Sequence, residues 1–160
     1  MAHFEFKRLN RTIIIYRVVQ TLLLILLAYS AYLFQVSFAM QGAPEKFFGS
    51  VKLTVLIQLL MTYPIYRLAV RDAGVEIEGS AVGLSAEALT SLRKKRLLGD
   101  LWKFCAVGFF LVFVVLSPGV EKASGASQSV LASTLFSFLL MCLTYFQCFN
   151  FSVKRLMKQN

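Results

Sequence analysis

The 160-residue chain has one histidine, three prolines and three cysteines, and each scarcity closes a route. His3 alone provides no histidine pair for a buried haem or a multi-histidine metal site. Cys105, Cys142 and Cys148 form no C-x-x-C, and an odd number leaves no complete disulfide framework. All three fall in apolar runs, where a thiol behaves as a small hydrophobe. Carboxylates are also sparse, eight against 17 Lys and Arg. No long apolar stretch carries an ionisable residue at its centre, the usual mark of an ion path or proton relay. No nucleophile–base pair, acidic dyad or phosphate-binding glycine loop is present. The serines, cysteines and tyrosines of the apolar runs have no histidine or mid-depth carboxylate to activate them. A protein without catalysis, cofactor or bound metal is the expectation.

What the chain has in excess is apolar surface. The hydrophobic fraction is 58% and the mean hydropathy +0.67, against roughly 45–50% apolar residues in soluble domains. A soluble fold of this size keeps much of its surface wet and has nowhere to hide so many apolar side chains. Lipid is the solvent that fits. A bilayer core about 30 Å thick needs ~20 mostly apolar residues, and four stretches come close. The expected fold is an all-α membrane protein, a four-transmembrane-helix bundle in one domain, with spans near 13–37, 50–70, 101–118 and 128–152. The second span is the shortest: its uncharged centre runs only from 53 to 66, so Lys52 and Arg67 must snorkel toward headgroups. The basic start and Ser37-Phe38-Ala39 mimic a cleavable signal, but signal cores run roughly 7–15 residues and this apolar run is longer. An uncleaved helix is expected.

Charge then sets sidedness, because short loops rich in Lys and Arg stay cytoplasmic. Lys7, Arg8, Arg11 and Arg17 precede or edge span one. Arg67, Arg71, Arg93, Lys94, Lys95, Arg96 and Lys103 lie between spans two and three, and Lys154, Arg155 and Lys158 follow span four. Only Lys46, Lys52 and Lys122 fall on the other side. Fourteen cations against three place both termini and a 71–100 loop in the cytoplasm, and the short loops and compact length suit a cell inner (cytoplasmic) membrane. The sequons at Asn10 and Asn150 then lie on the cytoplasmic side and are chance.

Within the 71–100 loop, Val75-Glu76-Ile77-Glu78 alternates apolar and acidic and Gly79-Ser80 turns, which hints at a small hairpin. From Ser85, a cap, the pattern changes to helix: Glu87 in the first turn, then Leu89, Leu92, Leu97 and Leu98. Arg93, Lys94, Lys95 and Arg96 then form a membrane-surface anchor on the anionic inner leaflet, with each cation worth about 1 kcal/mol there. No aromatic interleaving accompanies them, so a nucleic-acid partner is not expected.

Polar residues inside the spans need partners. Gln58 sits near the centre of span two, where an unpaired amide costs several kcal/mol, roughly, so another helix should receive it. Ser129, Ser133 and Ser137 recur at four-residue intervals and read as a small-residue helix–helix interface. Ser127 or Ser129 is a candidate cap for span four. Pro64 removes a donor to the Leu60 carbonyl and kinks span two; Thr62 or a neighbouring helix can satisfy the freed group. The resulting expectation is a small multi-pass membrane protein acting through helix–helix contacts. It would act as a homo-oligomer or as a subunit or regulator of a larger membrane complex, with itself or other membrane proteins as partners. The alternative is an oligomeric pore or small-solute or ion carrier, lined by Gln58, Thr62 and the serines and threonines of span four.

Overall fold

The computed structural model describes residues 6–81, 83–116 and 125–159. His3, Pro118 and Lys122 lie outside them. Every regular element among the described residues is a helix: α1 (Lys7–Met40), α2 (Pro44–Glu78), α3 (Ala86–Leu116) and α4 (Gly125–Met157). All four are long and apolar enough to cross a bilayer. At 31 to 35 residues and 1.5 Å per residue, each extends about 46–53 Å, well beyond a ~30 Å hydrocarbon core. The expected spans 13–37, 50–70 and 128–152 sit inside longer helices. The third, 101–118, falls in α3 as far as Leu116, with its last two residues outside the described ones. The surplus length carries most of the charge.

The α1–α2 and α2–α3 connections are short for reasons visible in the residues. α1 ends in a Schellman motif: Ala43 N–H donates to the Phe38 carbonyl at 3.0 Å and Gly42 N–H to the Ala39 carbonyl at 3.0 Å. Gly42 takes a φ of +66°, which a side chain would resist. Pro44 then opens α2, where its missing N–H costs nothing. The α2–α3 connection is also tight. Glycine at 83 has a φ of +83°, and the Ser85 hydroxyl caps α3 by accepting the Ala88 N–H at 3.2 Å.

Two expectations fail here. Val75 to Glu78 is not a hairpin strand but the last turn of α2. The 71–100 segment is not a loop, since α2 and α3 run through most of it. The alternation misled because this end of α2 is covered on two faces. Ala69, Ala73 and Ile77 join one core cluster, while Asp72 and Glu76 turn toward α3. Ser127 and Ser129 also lie within α4 rather than capping it.

The chain folds up-down-up-down. Leu9, Ile13, Ala73, Ile77, Phe149 and Val153 cluster where α1 begins and α2 and α4 end. Phe34, Phe38, Ala132 and Phe136 cluster at the opposite end. α2 and α4 make the most extensive pair, since Ala69, Ala73 and Ala132 let the backbones approach closely. α3 is the outlying member. Among its described residues only Gly99 is buried, and Phe110 stacks on Phe138 of α4 with ring centroids 3.9 Å apart.

Candidate functional site

Polar side chains form a seam along the bundle. Near the end that holds the α1–α2 turn, Gln128 donates to the Ser37 hydroxyl at 2.6 Å. Next come the serines: Ser133 donates to the Ser129 carbonyl at 2.8 Å and contacts the Ser50 carbonyl at 3.4 Å, while Thr54 donates to Ser50 at 2.8 Å. Ser137, one turn further, is buried. At mid-length Gln58 Nε2 donates to Thr144 Oγ1 at 2.7 Å. Closer to the termini, Gln20 donates to Gln147 at 3.1 Å and accepts from Asn150 at 3.1 Å. The Ser133 and Gln58 contacts lie between α2 and α4 of the same chain. Pro64 is exposed inside a continuous α2, and the Thr62 hydroxyl donates to the Gln58 carbonyl at 2.7 Å rather than to Leu60.

The seam ends in an ionic cluster that ties α3 to the bundle. Asp72, 8% exposed, is its hub. Its Oδ2 accepts the Tyr145 hydroxyl at 2.7 Å and lies 3.0 Å from Lys103 Nζ. Its Oδ1 pairs with Arg71 Nη2 at 3.1 Å. Lys103 also reaches Asp100 at 3.3 Å and sits 5.3 Å from the Tyr145 ring centre. One turn on, Arg96 Nη2 donates to Glu76 Oε2 at 2.9 Å. Its Nε lies 2.9 Å from Oε1, close enough to pair but off-line for a hydrogen bond. Lys95 and Glu78 meet at 3.6 Å, both well exposed. Tyr16, Asp72, Glu76, Arg96, Asp100, Lys103 and others enclose a cavity of about 50 Å³, room for a water molecule or two by volume. Gly99 makes the approach possible: a Cβ there would stand 3.1 Å from Asp72 Oδ1.

The anchor quartet thus divides. Arg93 and Lys94 are exposed, while Arg96 and Lys95 face carboxylates of α2. Reading by cation count missed the acids. Asp72 and Glu76, four apart, and Arg96 and Lys103, seven apart, share helix faces, and that spacing carries the signal once both segments are taken as helix. Cys105, Cys142 and Cys148 are free. Among the described residues no three metal-ligating side chains converge.

The chain matches no family model, no curated protein and no solved structure.

Proposed function

We propose that the chain is a non-catalytic multi-pass protein of a cell inner membrane, with both termini and the α2–α3 connection cytoplasmic. In this reading it acts through lateral helix contacts, as a homo-oligomer or as a subunit or regulator of a larger membrane complex. Arg93 and Lys94 remain free to meet anionic headgroups. Sidedness rests on the cation asymmetry.

One observation carries the contact reading: the attachment of α3. Most polar groups along α1, α2 and α4 are engaged with one another, although Ser137 Oγ is buried without a hydrogen bond. By contrast, α3 is tied in chiefly by the ionic cluster and Phe110, and most of its described residues face outward. Phe104 is 80% exposed and Phe109 72%. A helix held at a few points presents a face that another helix can cover. The pore alternative has less support, because Gln58, Ser133 and Thr144 are engaged between α2 and α4 rather than lining a path.

Native mass measurement after extraction in a mild detergent tests the reading. A defined oligomer, or a stoichiometric complex, that Phe104→Ala/Phe109→Ala dissociates is the expected result. A monomeric wild type that conducts ions in liposomes would overturn it.

A further inference from the structure

Positive charge is distributed unevenly over the terminal end of the bundle. On the α2–α3 side, Arg71, Lys95, Arg96 and Lys103 each meet a carboxylate within 4 Å. On the α1–α4 side, Arg17, Lys154, Arg155 and Lys158 line one groove of about 1060 Å³, and among the described residues none of them has an ion-pair partner. Neither α1 nor α4 contains a single Asp or Glu. Four like charges around one depression repel each other and draw in a counter-charge from outside the fold. Arginine forks match phosphate oxygens in particular.

The apolar part of the lining narrows the choice of anion. Ile13, Ile14 and Phe151 line the groove alongside the cations, and Ile14 and Phe151 are 61% and 65% exposed. An inorganic anion or an acidic peptide would leave those apolar side chains uncovered. A molecule with an anionic head and hydrocarbon tails satisfies both halves. We propose that the groove between α1 and α4 binds one anionic phospholipid, its phosphodiester among Arg17, Lys154, Arg155 and Lys158 and its acyl chains along Ile14 and Phe151. The inference rests on the membrane part of the proposed function, with the basic end at the headgroup layer, and is independent of what the outer face of α3 contacts.

The test uses the purified full chain in non-ionic detergent, titrated with phosphatidylglycerol, phosphatidylcholine or inorganic phosphate and read by native mass spectrometry. One phosphatidylglycerol per chain should be retained in preference to phosphatidylcholine. Arg17→Gln/Arg155→Gln should weaken it about thirtyfold, since a surface cation near anionic lipid is worth about fivefold. Lys7→Gln/Arg8→Gln, which removes the same charge from exposed positions on α1 outside the groove, should change binding less than about twofold. Equal losses in the two double variants would mean diffuse surface charge and overturn the site. So would equal retention of the two lipids, or full displacement of the lipid by inorganic phosphate. Because the groove variant could fail for lack of folding, Phe151→Trp in a chain whose one native tryptophan is replaced, Trp102→Phe, gives a second reading. Its emission should be quenched by phosphatidylglycerol with brominated acyl chains, and absence of quenching would count against the proposal. Loss of oligomerisation with lipid retention intact would fall on the contact function alone.

Discussion

The Tyr145 hydroxyl of α4 and the Asp72 carboxylate of α2 lie 2.7 Å apart, and Lys103 of α3 shares the same carboxylate oxygen at 3.0 Å. One buried acid therefore fixes three helices at the end of the bundle where the chain begins and ends.

Asp72→Asn should destabilise the protein by about 2–3 kcal/mol, somewhat below the 3–5 kcal/mol typical of breaking a fully buried pair, because Lys103 and Arg71 keep partial access to solvent. Lys103→Met in the Asp72→Asn background should recover part of the loss. Thermal unfolding of the four proteins in detergent gives the coupling, and strictly additive effects would deny the ion pair a role.

Gly99→Ala forces a Cβ to within 3.1 Å of Asp72 Oδ1 and should loosen α3 despite the better helix propensity of alanine. Gly108→Ala meets nothing within 4 Å and should stabilise by about 0.5–1 kcal/mol. Limited proteolysis around the α2–α3 connection distinguishes them: only the Gly99 variant should be cleaved faster than wild type.

Thr144→Val should cost more than Gln58→Leu. The Gln58 side chain is the more demanding partner, and its Oε1 is already buried without a hydrogen bond. Removing the hydroxyl strands the amide at about 1–2 kcal/mol, whereas an apolar replacement of the amide itself is closer to neutral. Unfolding in detergent should rank the two in that order, and the reverse order would contradict the contact.

Ser133→Leu should cost about 2 kcal/mol, because Ser133 is 4% exposed where α4 meets α2 and extra volume there must separate the helices. Ser133→Ala should cost about 0.6 kcal/mol or less, the usual worth of one interhelical hydrogen bond in a membrane protein. Similar melting temperatures for the two variants would mean that the serine ladder is not closely packed.

Several of these elements were legible in the chain. The four apolar runs, the Ser85 cap and the need of Gln58 for an interhelical partner follow from length, turn chemistry and the cost of a bare amide. The ionic cluster was not, because its members are 31 residues apart from Asp72 to Lys103 and 73 from Asp72 to Tyr145, and only the packing of three helices brings them together. The Val75–Glu78 alternation was misread for a related reason. A helix covered on two faces can imitate a strand over four residues, and short alternations do not separate the two. The uncompensated cations of α1 and α4 are visible as sequence, but the groove that collects them exists only when the two helices lie side by side.

Reporter fusions after Gln41, after Ser80 and at the carboxyl end test the bundle and its orientation together. An exported reporter should be active only after Gln41, with a cytoplasmic reporter active at the other two positions. Export at Ser80 or at the carboxyl end, or recovery of the protein in the supernatant after ultracentrifugation without detergent, would contradict a four-span chain oriented by its cations.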